Sequence, residues 1–171
     1  RTGGLLPIQG ILLSFCLLTY LPLWELGDRL RHLPIRQAAD LIKKSNNGVD
    51  AFAMVGVMKP SLHFYTGKVI LYEGRSPQAL VNLDDRLRKE KRRGISRDFE
   101  IKSLDRNYLF LVIDKKTSEM SYWKNLSPEL LGEFGIYRIW KIDFKSLRER
   151  ADLIKSSGVK PDWESPRPER Y

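Results

Sequence analysis

The stretch AFAMVGVMKPSLHFYTGKVILY, residues 51–72, decides the fold class. Residues 51–57 are a nearly continuous apolar run, the pattern of a strand buried on both faces. Lys59-Pro60-Ser61 then opens a short helix or turn that passes through Tyr65 and closes at Gly67. Residues 68–72, KVILY, supply the next strand. Strand, helix and strand in quick succession begin an α/β pattern.

The pattern continues on both sides. Upstream, Pro34 stands at a helix start and Ile35, Ala38, Ala39 and Ile42 recur at helical spacing, with Asn46-Asn47-Gly48 as the stop. Downstream, Ser76-Pro77 forms an N-cap and first-turn pair, and Leu80, Leu83 and Leu87 draw a narrow apolar stripe on a highly charged helix that Gly94 ends. Residues 107–113, NYLFLVI, read as a central strand, followed by Asp114 and a polar helical turn region over 115–124. Residues 134–144 alternate, with Ile136, Arg138, Trp140 and Ile142 on one face and Tyr137, Ile139, Lys141 and Asp143 on the other. Leu147, Ala151 and Ile154 mark a final helix that stops near Gly158. The order predicts an α/β layered domain with a mainly parallel sheet of about four strands. Pro161, Pro166 and Pro168 predict an extended, poorly ordered tail over 159–171.

The first residues belong to another environment. No charge occurs between Thr2 and Trp24, and residues 5–24 (LLPIQGILLSFCLLTYLPLW) would make a helix of about 30 Å, the thickness of a hydrocarbon core. Tyr20 and Trp24 sit toward its end, and charges follow at once with Glu25, Asp28, Arg29 and Arg31. Residues 1–25 are therefore read as a transmembrane helix and 26–158 as the folded domain. A signal peptide would need a cleavage site of the A-x-A kind, which does not follow the apolar run, and a buried or interfacial helix is the other alternative. Gln9 and Gly10 within the run favour a neighbouring helix that satisfies the amide, as in a polytopic protein, and the chain is expected to be the end of a longer polypeptide.

Composition narrows the chemistry. The chain has 171 residues, 42% hydrophobic and 30% charged, with a net charge of +9, which suits one folded domain with a basic bias. The single Cys16 excludes an intrachain disulfide, and His32 and His63 are too few for a histidine-rich metal centre. There is no G-x-S-x-G, P-loop, G-x-G-x-x-G, H-E-x-x-H or C-x-x-C motif. Ser61 and His63, two apart on a helix, do not face each other as a nucleophile and base would.

Two segments carry candidate binding groups. In DDRLRKEKRR, residues 84–93, Arg88, Lys89, Arg92 and Arg93 form a candidate surface for anionic lipid. The simpler reading is a solvated helix face with pairs such as Asp85 with Lys89. Nucleic-acid binding is poorly supported, because the aromatic residues lie in strands and not among these charges. In KPSLHFYTG, residues 59–67, a Pro-Ser helix opening leaves backbone N–H groups to receive an anion, with Lys59 adding charge at the same end. The alternative is a tight strand-to-helix connection whose Leu62, Phe64 and Tyr65 merely pack.

Leu33-Pro34-Ile35-Arg36-Gln37-Ala38 with Ile42, then Lys59 to Gly67 and the strand over 68–72, all behind an apolar span, resemble the C-terminal region of bacterial GT-C membrane glycosyltransferases. The nearest group is similar to the lipid A aminoarabinose transferases and protein O-mannosyltransferases. The resemblance is strongest over residues 5–115. It implies transfer of a sugar from a polyprenyl-phosphate donor to a lipid or protein acceptor at the extracytoplasmic, periplasmic face. It places the catalytic carboxylate in an early loop of the full-length enzyme that no residue here matches, so this segment is expected to be inactive alone and to hold no cofactor. The implied partners are membrane lipid, the donor and the remaining transmembrane part of the enzyme. The implied substrate contacts are Lys59, Ser61 and Tyr65. Arg29, Arg31, Arg36, Lys43 and Lys44 would favour the cytoplasm by the positive-inside rule, but a large folded domain translocates largely regardless of charge. The competing function is a single-span, membrane-anchored module that recognises anionic lipid headgroups.

Overall fold

The computed structural model describes residues 5–45, 51–97 and 108–165. In chain order they form α1 (Leu5–Arg31), α2 (Leu33–Ser45), β1 (Ala51–Val55), α3 (Ser61–Thr66), β2 (Leu71–Glu73), α4 (Gln78–Arg97), β3 (Tyr108–Asp114), α5 (Lys115–Ser118), α6 (Ser121–Lys124), β4 (Glu129–Phe134), β5 (Tyr137–Asp143) and α7 (Phe144–Ser156). The chain is an α/β fold led by an apolar helix. The Asn46-Asn47-Gly48 stop lies outside the described residues.

The sheet has five strands in the order β2-β1-β3-β5-β4. β1 is parallel to β2 and β3, whereas β5 is antiparallel to β3 and β4. This corrects the expected mainly parallel sheet of about four strands to a mixed one of five. The physical reason is Gly135, whose φ of 58° turns the chain between β4 and β5 into a hairpin that adds an antiparallel edge strand. β4 escapes sequence reading because it is an edge strand with no buried residue, so its side chains carry no strong apolar pattern.

Both faces of the sheet are covered, which is why β1 and residues 109–113 of β3 are apolar at every position. Ala53, Val55, Leu109, Leu111 and Ile113 meet Leu80 and Leu83 of α4, Trp123 of α6 and Leu147 of α7 on one side. Phe52, Met54, Phe110 and Val112 meet Ile35, Ala38, Ala39 and Ile42 of α2 and Leu62 of α3 on the other. The period-2 alternation of the strands and the helical spacing of α2 thus converge on two cores. Truncating a fully buried side chain such as Ile42 to Ala would cost about 2–5 kcal/mol.

Three boundaries differ from the sequence reading. α4 runs through Gly94 to Arg97, since one glycine costs a helix only about 1 kcal/mol. β2 begins at Leu71 and not at Lys68, because the Lys68 carbonyl is engaged by the His63 ring at 2.5 Å and its N–H donates to the Thr66 hydroxyl. Residues 159–165 pack on α4 instead of trailing free. Asn82 and Asp162 exchange two hydrogen bonds of 2.9 Å, Trp163 Nε1 donates to Asp85, and the Arg86 and Lys89 cations lie over the Trp163 ring.

α1 stands apart from both cores. Its apolar stretch is long enough to cross a membrane, and none of it is buried against the rest of the protein. A core helix of a water-soluble domain would be covered, so α1 is a candidate membrane span. The break between α1 and α2 falls at His32, where Pro34 has no N–H to continue the helical ladder.

Candidate functional site

α1 joins the domain at the C-terminal edge of the parallel strands. The N-terminus of α2 is fixed there because Pro34 packs beside Gly135, in the turn where the Ile136 carbonyl accepts from Lys115 N–H just beyond β3. This edge is also where the strand order reverses. β1 leads outward to β2 through α3 on one face, and α4 covers the other face before β3.

The turn after β1 is built around Gly56 and Asp114. Gly56 has φ of +90°, and a Cβ there would lie 1.8 Å from Asp114 Oδ2, so only glycine fits. Asp114, 3% exposed, accepts from Val57 N–H at 3.0 Å, Thr117 N–H at 3.0 Å and the Thr117 hydroxyl at 2.7 Å. Burial pushes the Asp114 carboxyl up, but these hydrogen bonds and the Arg75 guanidinium outweigh it and hold it below the usual carboxylate range. Opposite it in register on β5, the buried Tyr137 phenol has no hydrogen-bond partner among the described residues, and burial with the Asp114 charge pushes it up to about 12.

The residues singled out from sequence follow directly from this turn. Lys59 is half-buried; its N–H donates to Met54 Sδ at 3.3 Å, and its carbonyl accepts from the Tyr72 hydroxyl. Ser61 begins α3, and Tyr65, four residues on, shares its face of the helix. The N–H groups of Leu62 and His63 donate to the carbonyls of Lys59 and Pro60, so two donors expected to await an anion are already engaged. What this edge presents is side-chain chemistry.

Arg36 ties it to α1. The guanidinium grips Asp28 with bonds of 3.1 and 3.2 Å and donates from Nε to the Tyr65 hydroxyl at 3.3 Å. Tyr65 accepts from Arg36, so its hydroxyl keeps a proton that it can donate. In the sequence Arg36 stands only within a motif and as a near-membrane charge, and nothing there gives Asp28, Arg75 or Asp114 a role in the site. The available signals were a glycine and an aspartate placed directly after two apolar strands.

The second candidate segment is differently disposed. Arg88 pairs with Asp84 at 2.9 Å and Asp152 at 3.4 Å, and Lys89 pairs with Asp85 at 3.4 Å and Glu164 at 2.7 Å. Arg86 reaches the buried Glu73 at 3.1 Å. Arg92 and Arg93 lie in the last turns of α4, and their side chains are outside the described residues. The structure does not bring this row together with Lys59, Ser61 and Tyr65. Among the described residues no group of three or more His, Cys, Asp or Glu side chains is arranged to hold a metal ion.

Residues 44–158 match the family model described as cyanobacterial RgtA-type glycosyltransferase, C-terminal domain. The match spans the sheet domain and leaves α1 outside it. No curated protein and no solved structure gives a match.

Proposed function

The chain belongs to the cyanobacterial RgtA-type glycosyltransferase C-terminal domain family, and on that premise we propose that it is the extracytoplasmic, membrane-anchored end of a GT-C enzyme using a polyprenyl-phosphate sugar donor. In this reading the catalytic carboxylate belongs to another part of the enzyme, and the acceptor is a lipid or a protein. The domain closes the membrane-side cavity and holds the donor. Lys59 supplies positive charge to the donor phosphate, and Ser61 and Tyr65 hydrogen-bond phosphate or sugar oxygens. Arg36 is a positioning residue that fixes the Tyr65 hydroxyl.

The observation that carries this reading is the Asp28–Arg36–Tyr65 connection, which supports placing the 59–67 segment where the chain leaves its apolar helix. A polyprenyl phosphate presents its phosphate at headgroup level, and that is the level at which such an edge would act. Substitution in the full-length glycosyltransferase tests it. Lys59→Gln should raise the donor KM roughly tenfold, as expected for one lost charge-assisted bond. Tyr65→Phe should raise it less, with kcat retained in both, while Arg88→Gln should leave it unchanged. Unchanged donor KM in both Lys59→Gln and Tyr65→Phe would sink the assignment.

A further inference from the structure

α3 leaves an apolar surface that neither core uses. Phe64 is 81% exposed and Val69 is 74% exposed. The bond from the His63 ring to the Lys68 carbonyl holds residues 68–69 beside the end of α3, so exposed Phe64, Lys68 and Val69 lie near one another at this end of the helix. Single exposed apolar residues are ordinary, and this cluster would be too if it faced bulk water far from a membrane. Its position is different. Asp28 is four residues beyond Trp24 in α1, about 6 Å along the helix, which is within one headgroup layer if Trp24 marks the hydrocarbon boundary. Arg36 joins Asp28 to Tyr65, and the Phe64 ring lies 5.7 Å from the Tyr65 ring.

We propose that Phe64 and Val69 insert into the interfacial layer of the bilayer crossed by α1, with Lys68 reaching anionic headgroups, so that α3 is a second membrane contact. The occupant is lipid, and the continuity with α1 through Arg36 is what selects it. Burying a phenylalanine and a valine side chain favours insertion, and lysine extends its charge to the headgroups while its stem stays in the apolar layer. The inference rests on α1 spanning the bilayer. It deepens the proposed function by giving the donor-facing edge a fixed height above the membrane.

The test uses the full chain reconstituted in vesicles of zwitterionic and anionic phospholipid, with an environment-sensitive fluorophore on one cysteine at a time. A label on the native Cys16 reads α1. A label on Val69→Cys in a Cys16→Ser background reads the α3 surface, and Leu153→Cys on α7 in the same background gives the baseline. Nitroxide at mid-chain depth should quench the Cys16 label. Nitroxide near the headgroup should quench the label at position 69 and not that at 153, and adding Phe64→Glu should return position 69 to the baseline. Quenching at Cys16 with position 69 at baseline would overturn the second contact and leave the proposed function standing. Quenching at position 69 that is indifferent to Phe64→Glu would also overturn it. A Cys16 label untouched by deep nitroxide would overturn both readings.

Discussion

The edge around residues 59–65 and the charged face of α4 are both basic in sequence, yet they are opposite in structure. On α4, Arg86, Arg88 and Lys89 are drawn onto Glu73, Asp84, Asp85, Asp152 and Glu164, three of which come from other elements. Their charge holds the helix to β2, α7 and the 159–165 segment. At the other edge the local charge density is lower, but Lys59 stands in the turn that leads into α3, and Tyr65 is oriented by a pair already satisfied through Asp28. Charge density along a sequence therefore measures how many ion pairs a helix can make at least as much as how much charge it offers to a ligand.

The comparison breaks most visibly at Gly56. Alanine there would put its Cβ against Asp114 and force a residue with a side chain into a positive φ, so Gly56→Ala should cost roughly 4 kcal/mol from strain and displaced hydrogen bonds. Urea denaturation of the full chain in detergent would read this as a lowered midpoint, and an unchanged midpoint would show that the turn is not held as described. On the α4 side, Arg86→Ala removes the guanidinium that pairs at 3.1 Å with the 2%-exposed Glu73 carboxylate, at a cost of about 3 kcal/mol. The same melt would check it, and an effect below about 1 kcal/mol would mean that the pair behaves as a surface ion pair.

A smaller effect separates the regions by pH. The Asp114 pKa is lowered in the folded protein, so its contribution is complete above the unfolded value of about 3.9 and is lost as pH falls through the folded value. Asp114→Asn should therefore flatten the acid limb of Tm against pH below about 4 while lowering Tm at neutral pH. An acid limb as steep as that of the parent chain would place the titrating groups elsewhere.

Much of this architecture is legible in sequence. α2, β1 and β3 follow from apolar spacing, since each buries a whole face or both faces. β4 is not legible, because an exposed edge strand needs no apolar pattern and is defined by its partner β5. The docking of residues 159–165 was hidden for a related reason. Prolines advertise an extended chain, whereas the seat for Trp163 exists only once Asp85, Arg86 and Lys89 are arrayed on a helix. At the candidate site, Lys59, Ser61 and Tyr65 stand out through the strand-to-helix turn and the family resemblance. The role of Arg36 depends on bringing residues 28, 36 and 65 together, which no local spacing encodes.

The central claim is that the 59–65 edge, and not the α4 face, meets the donor. The direct measurement is photocrosslinking in the full-length glycosyltransferase, with a benzophenone amino acid replacing Ser61 in one protein and Arg88 in another. The account predicts that radiolabelled polyprenyl-phosphate sugar is captured at position 61 and not at position 88. Capture at position 88 with none at position 61 would contradict it.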